Sequence, residues 1–379
     1  MKFLHHSLSV HPLFLHPGHV SFCEQTQQAS PQYAIPLSLF ICPPLKHSYI
    51  YYKRILIQNQ SCAVAFRLTA FLRVVYTELY FDLNATHSKG GKMKLLNYIE
   101  NGHIRTAIRT ENGAADILHN AAKYSMNMPH TMEKIIAGGS GAIEKLRVLE
   151  QQKLEYLKER DIRYAPCIAA PEKILCVGLN YHAHTAEANE AVPKEPLLFG
   201  KFNNALNVHQ AGIPIPAHAT NIDYEAELVI VIGKDAYDLT PEEAGDVIFG
   251  YTCGNDVSAR DLQFVGSQWL IGKSCDGFAP VGPHIVTADE LQPNALSIEM
   301  RVNGEVRQSS NTNLMIFDCA AIVSYASRCM RLKAGDLIFT GTPSGVIMGY
   351  PEDKRVWLKS GDEVAVTIEG IGTLTNYFL

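Results

Sequence analysis

The residues best suited to chemistry form an alternating acidic run, Asp223-Tyr224-Glu225-Ala226-Glu227, that leads directly into the apolar stretch LVIVIG. On a strand, side chains two apart point to one face, so Glu225 and Glu227 stand together at the edge of a core. Two carboxylates this close repel unless a positive charge lies between them, and a hard divalent cation is the usual answer. Alone, the fragment reads equally well as a solvated strand end. A second acidic island, Gly254-Asn255-Asp256-Val257-Ser258-Ala259-Arg260-Asp261, closes another apolar strand, and Asp256 would complete a three-carboxylate site. Three oxygen ligands leave about half of an octahedral Mg²⁺ or Mn²⁺ shell free for water and substrate, which suits a catalytic ion.

Lys273, in WLIGKSCDGFAP, lies between apolar residues and glycine, an odd place for a surface lysine. It either serves the acidic site, caps a nearby turn or pairs with Asp276. In Asn180-Tyr181-His182-Ala183-His184-Thr185-Ala186-Glu187 the spacing puts His184 and Glu187 on one face of a helix. A carboxylate on one imidazole nitrogen raises the basicity of the other, giving a general base for water, although pairs at this spacing often arise by chance. His182 and His184 do not make a zinc motif, for no CxxC, HExxH or third spaced histidine follows. Gly341-Thr342-Pro343-Ser344-Gly345 lacks the Gly-Lys-Ser/Thr of a phosphate loop; we read it as a tight turn that brings backbone and Thr342 close to a ligand.

The elements that must position these groups are mostly strands: KILCVGLN, AELVIVIG, VIFGYTCGND, HIVTA, SIEMRVNGEVRQ with an Asn-Gly hairpin, DLIFTG, VWLKSGDEVAVTIEG and IGTLTNYF. Helical spacing of Ile322, Val323, Ala326 and Met330 predicts a helix over 317–332, ended by Gly335. Upstream, two Asn-Gly pairs after Met93 predict a small β-rich start, and Ile143, Leu146, Leu149 and Leu154 predict an amphipathic helix from Ala142 to about Arg160. RYAPCIAAPEK, with two prolines, reads as a linker. The distribution is that of an α+β protein.

Nine cysteines at wide intervals, odd in number and without a CxxC, point to a reducing, cytoplasmic compartment. The net charge of −5 offers no basic footprint for nucleic acid, which we exclude as a partner. It conceals an asymmetry. Residues 1–92 carry Glu24, Glu78 and Asp82 as their only acids against a larger number of lysines and arginines. Their apolar stretches fall short of the roughly 18 uncharged residues of a membrane span, and His5, His6, His11 and Pro12 break any signal-peptide core. Ser88-Lys89-Gly90-Gly91-Lys92 before Met93 can be back-translated as a bacterial ribosome-binding site. We therefore expect translation to start at Met93, with 1–92 a non-native or disordered extension.

Taken in order, GLNYHAH, DYEAELVIVIGK, GYTCGNDVSARDLQ, QWLIGKSCDGFAPVGP, RVNGEVRQSSNT, MIF and GDLIFTGTPSGV resemble the fumarylacetoacetate hydrolase family. The likeness is to its branch of acylpyruvate hydrolases, oxaloacetate decarboxylases and 2-hydroxyhepta-2,4-diene-1,7-dioate isomerases. It spans nearly all of 171–379 and implies a mixed β-roll catalytic domain there, a small N-terminal α/β domain over 93–165, and a homodimer. It further implies Glu225, Glu227 and Asp256 as metal ligands, Lys273 as the active-site lysine, and His184 with Glu187 as the lid pair that activates water or shuttles a proton. Arg260 and Gln263 would face substrate, and Thr342 would bind a substrate carboxylate. The chemistry expected is that of a divalent ion, chelated by the 2-oxo and carboxylate oxygens of a small 2-oxo acid, acting as electron sink for an enolate. Our first expectation is hydrolytic C–C cleavage of an acylpyruvate, with Lys273 stabilising the oxyanion. Decarboxylation or isomerisation of a 2-oxo diacid is the alternative, followed by ureidoglycolate lysis and, last, a catalytically silent metal-binding scaffold.

Overall fold

The structure is a computed structural model that describes residues 92–379. The expectation of a non-native stretch over 1–92 falls on residues outside that range, Lys92 excepted. The fold is α+β, built on one mixed eleven-stranded sheet and a second sheet of five strands. At the centre of the large sheet runs Ala226–Ile232, buried along its whole length, as an unbroken apolar run covered on both faces must be. Ile248–Asn255 pairs antiparallel on one side of it and Leu337–Phe339 on the other. Ile174–Gly178 adds parallel to Leu337–Phe339, and Leu197–Lys201 forms the next strand.

In the five-stranded sheet Glu363–Ile368 alternates half-buried and buried residues, with Val364, Val366 and Ile368 turned inward. Ser297–Val302 and Glu305–Asn311 join through Asn303-Gly304, both at positive φ (51° and 82°), the backbone that a two-residue turn between twisted strands requires.

The β-rich start expected after Met93 is a meander, Lys94–Glu100, His103–Thr110 and Gly113–Asp116, turned first at Asn101-Gly102 with φ of 51° and 78°. It extends the large sheet, because Lys94 and Leu95 pair with Val286 and Ile285 of the strand Ala279–Thr287. In the stretch read as a linker, Tyr164–Ala165 adds a short strand beside Lys94–Glu100.

Two helices depart from the reading of the sequence. The amphipathic helix runs over Met132–Glu150, not 142–160; Thr131 caps its start, and the backbone of Gly139 (φ 53°, ψ −140°) kinks it. Beyond Gln151 the chain is pulled away because Asn120 accepts from the Glu155 N–H (2.8 Å) and donates to its carbonyl (3.0 Å). Leu154 is buried, but through this tertiary tie rather than through helical phase. The second helix is Cys319–Cys329, capped by Asp318; it stops short of Leu332, whose N–H and carbonyl pair with Ala236 (2.9 and 3.0 Å).

Two histidines inside this framework set an acid limit. Burial, with help from Lys94, pushes His284 down to about 3, and burial pushes His209, whose Nδ1 accepts from the Thr375 N–H (3.0 Å), down to about 4. Both hold neutral in the fold what the unfolded chain protonates near pH 6.5. Their contribution to stability is therefore present above pH 6.5 and is lost as pH falls towards those values. We predict that the unfolding free energy drops by up to about 1.4 kcal/mol per pH unit through His284 between roughly pH 6 and 4, with a smaller, solvent-screened share from the less buried His209. Urea titrations across this range check it; a slope unchanged in His284→Gln would show that the carboxylates alone account for the acid loss.

Candidate active site

The acidic run lies where two strands begin and end. Glu227 belongs to Ala226–Ile232 and Glu225 immediately precedes it; Ala226 pairs with Asn255, and the Asp256 N–H donates to the Glu225 carbonyl (2.9 Å). This register sets three buried carboxylates side by side, with one oxygen each of Glu225, Glu227 and Asp256 within 4.8 Å of one another.

Lys273 ends the short helix Leu270–Lys273 and its buried ammonium bridges Glu225 Oε2 (2.8 Å) and Asp256 Oδ2 (2.7 Å). The alternative partner, Asp276, instead accepts from Asn204 (2.7 Å). Arg260 donates from Nη2 to Glu225 Oε1 (2.6 Å), from Nε to Asp223 Oδ2 (3.0 Å) and from Nη1 to Gln263 Oε1 (2.9 Å). The last bond fixes the Gln263 amide, since its oxygen must face the guanidinium, and leaves its NH₂ as a donor. Gly272 permits this packing: a side chain there would collide with the backbone of Gln263 and Ala259.

His184 and Glu187 are both on the helix His182–Glu187, as their spacing predicts, with His184 Nδ1 3.1 Å from Glu187 Oε2. The Glu187 carboxylate also accepts from the Gly345 N–H (2.9 Å), so it holds Nδ1–H and leaves Nε2 as the basic nitrogen. A side chain at Gly349 would overlap the Glu187 carboxylate. Thr342, in the turn after Leu337–Phe339, is buried; its hydroxyl donates to the Ala226 carbonyl (3.0 Å) and accepts from Gln308 Nε2 (2.8 Å). The hydroxyl therefore offers a ligand an acceptor unless it gives up Ala226. All nine residues singled out in the sequence meet here, and all but Asp256 border one cleft of about 570 Å³.

Three participants went unread in the sequence. Lys201 is fully buried, pairs with Asp256 Oδ1 (2.6 Å), and donates to the carbonyls of Val257 (3.1 Å), Phe278 (2.8 Å) and Lys273. Its signal was a lysine inside the apolar run LLFGKF. Asp223 continues the 223-225-227 alternation and accepts from Arg260 and from the N–H groups of Ile347 (2.8 Å) and Met348 (3.0 Å). Gln308 links the Ala226 N–H (2.9 Å) to Thr342.

The electrostatics favour an added cation. Burial pushes the Glu225 carboxyl up, but Lys273, Arg260 and His184 outweigh it and hold it well below the usual carboxylate range. Glu227 goes the other way: burial, then Asp256 and Glu225, push it far up. Its Oε2 accepts from the Gly341 N–H (2.7 Å), and no side-chain cation pairs with it among the described residues. An oxygen-only donor set with one carboxylate short of positive charge fits a hard divalent ion such as Mg²⁺ or Mn²⁺. Burial pushes Lys273 down, yet Asp256 and Glu225 outweigh this and keep its ammonium charged.

A β-roll that gathers carboxylates, a buried ammonium and a His–Glu pair on one cleft has the architecture of an enzyme. The chain belongs to the fumarylacetoacetate hydrolase family, for residues 173–379 match the model of the fumarylacetoacetate (FAA) hydrolase C-terminal domain. It is 37% identical over 298 residues to a mitochondrial oxaloacetate tautomerase of Xenopus laevis, covering 77% of this chain and 92% of that protein. A human mitochondrial oxaloacetate tautomerase is 38% identical over 272 residues, covering 71% of this chain and 85% of its own. Among solved structures, a fumarylacetoacetate hydrolase from Exiguobacterium antarcticum superposes with a TM-score of 0.66 at 37% identity, over 76% of this chain and 99% of that one. A 2-hydroxyhepta-2,4-diene-1,7-dioate isomerase from Mycobacterium marinum gives 0.58 at 34% identity, over 76% and 98%. No helix among the described residues is long and apolar enough to cross a membrane.

Proposed function

We propose that this enzyme interconverts the keto and enol forms of a small 2-oxo diacid, oxaloacetate first among those to be tested, in a Mg²⁺- or Mn²⁺-dependent reaction. The observation that carries the reading is the His184–Glu187 pair held at the same cleft as Glu225 and Glu227, with Asp256 buried beside them. The relatives named oxaloacetate tautomerase favour proton transfer over the hydrolysis expected first.

Glu225, Glu227 and Asp256 would hold the ion, which when bound supplies a Lewis acid for the 2-oxo and carboxylate oxygens. His184 Nε2 removes a proton from C3, and the electron pair becomes the C2–C3 double bond while charge moves onto the 2-oxygen. The third N–H of Lys273, left over from Glu225 and Asp256, stabilises that oxygen until a proton returns to it. Gln263 supplies a further donor through its NH₂, and Arg260 keeps Gln263 and Glu225 in place. Glu187 fixes the tautomer of His184.

Hydrolysis of an acylpyruvate is the second reading. What favours it is the same pair, since an imidazole backed by a carboxylate also activates water, together with the Exiguobacterium relative named a hydrolase. The test is a spectrophotometric assay of the full chain with Mg²⁺ or Mn²⁺ and with EDTA, against oxaloacetate, acetylpyruvate and a ureidoglycolate control. We expect accelerated oxaloacetate tautomerisation that EDTA abolishes and Mg²⁺ restores. Acetate release from acetylpyruvate without tautomerisation would install the hydrolase reading, and CO₂ loss alone a decarboxylase. The free cysteines among the described residues support a reducing compartment, the cytoplasm or, as the relatives' names suggest, the mitochondrion. The exposed side chains of Phe264, Val265 and Ile271 support a homodimer, which light scattering checks.

A further inference from the structure

We infer that Arg355 receives the second carboxylate of the substrate, which makes it the residue that selects a diacid over an acylpyruvate. The inference rests on the 2-oxo acid reading above and adds to it the far end of the pocket.

Lys273, Arg260 and Arg355 are the lysine and arginines that border the cleft, and two of them are already spent. Lys273 serves Glu225 and Asp256, and Arg260 serves Asp223, Glu225 and Gln263. Arg355 differs. Its Nε donates to the Tyr350 carbonyl (2.9 Å), and it forms no ion pair among the described residues, although Glu352 and Asp353 are close in sequence. Glu190, another acidic residue on the cleft, is not within pairing distance either. Arg355 is half-buried as a residue and borders the cleft together with Phe264, Trp269, Val346 and Met348. A guanidinium with no ion pair among the described residues has its charge available to an anion in the cleft, and its planar fork matches a carboxylate in a two-point contact.

The residue is also held in register with the rest of the site. The 345–355 segment is tied down by the Gly345 N–H on Glu187, by the Ile347 and Met348 N–H groups on Asp223, and by Tyr224 Oη on the Gly345 carbonyl (2.9 Å). Asp223 in turn grips Arg260. A substrate with its 2-oxo carboxylate at the acidic triad has an anion left over only if it is a dicarboxylate. The neutral acyl end of an acylpyruvate gains nothing from Arg355.

The experiment compares the Mg²⁺-loaded full chain with its Arg355→Gln and Arg355→Lys variants, using oxaloacetate and oxalate, the latter having no distal carboxylate beyond the chelating pair. Binding is read from tryptophan fluorescence in a Trp357→Phe background, which leaves Trp269, on the cleft wall, as the reporter whether or not turnover occurs. Arg355→Gln is expected to weaken oxaloacetate by about tenfold or more while oxalate stays within about twofold, and Arg355→Lys to recover part of the loss. Unchanged oxaloacetate affinity, or an equal loss for both ligands, overturns the assignment. If the unmodified enzyme binds oxaloacetate but does not tautomerise it, the proposed reaction fails, and the ratio of the two affinities still decides the role of Arg355.

Discussion

Asp256→Asn is expected to reduce turnover by about a thousandfold or more and to destabilise the fold by roughly 3–5 kcal/mol. Two separate losses add here. As a proposed ligand, Asp256 contributes a full negative charge to the ion, which an amide oxygen does not. As a counter-ion, it stands between two buried ammonium groups, Lys201 at Oδ1 (2.6 Å) and Lys273 at Oδ2 (2.7 Å). Lys273 keeps Glu225, but Lys201 is left with the carbonyls of Val257, Lys273 and Phe278, which solvate its charge without neutralising it. The stability loss is therefore assigned mainly to Lys201. Adding Lys201→Met to Asp256→Asn should return part of the stability and none of the activity, as read by urea denaturation and by calorimetric titration of Mg²⁺. Chelator-sensitive turnover near the unmodified level in Asp256→Asn would move the ion to another site.

This division of labour explains what the sequence could disclose. Glu225 and Glu227 were legible because their relation is local: alternation on one strand puts them on one face wherever that strand goes. The His184–Glu187 pair was legible for the same reason, with helical spacing replacing alternation. Asp256 could be nominated from its place at a strand end, but its meeting with Glu225 depends on the pairing of Ala226 with Asn255, a register that no local pattern specifies. Lys201 shows the limit. A lysine in LLFGKF announces that it is unusual, yet its acceptors come from Asp256, Val257, Lys273 and Phe278, and only the folded sheet assembles them. Arg355 was less visible still, one charge among many in PEDKRVWLKSGDE, set apart by its place on the cleft wall and by having no ion pair among the described residues.

The helix over Met132–Glu150 teaches the same lesson about boundaries. Leu154 repeats the apolar spacing of Ile143, Leu146 and Leu149, so the periodic signal runs on past the helix end. What ends the helix is the grip of Asn120 on Glu155, a contact between segments. Turn chemistry, by contrast, was read correctly at Asn101-Gly102 and Asn303-Gly304, because left-handed backbone at both positions is a demand these residue types meet locally.

His184→Ala should leave the fold and Mg²⁺-dependent oxalate binding intact while lowering kcat for tautomerisation by roughly 10²–10⁴-fold. The asymmetry follows from position: His184 is buried at the cleft, and among the described residues its side chain bonds Glu187, three residues on in the same helix, rather than another element. Glu187→Gln is the milder change, because the imidazole survives and loses only the partner that fixes Nδ1–H; a drop of about 10–100-fold is expected. Gly349→Ala reaches the same carboxylate from outside. Its added methyl occupies the space of the Glu187 side chain, which must swing away from His184 and from the Gly345 N–H. The variant should therefore resemble Glu187→Gln in kcat, with KM little changed, and Gly349→Ala combined with Glu187→Gln should be no worse than Glu187→Gln alone. If His184→Ala retained full tautomerisation, the proton would have to travel through another group, and Lys273 would be the next to replace.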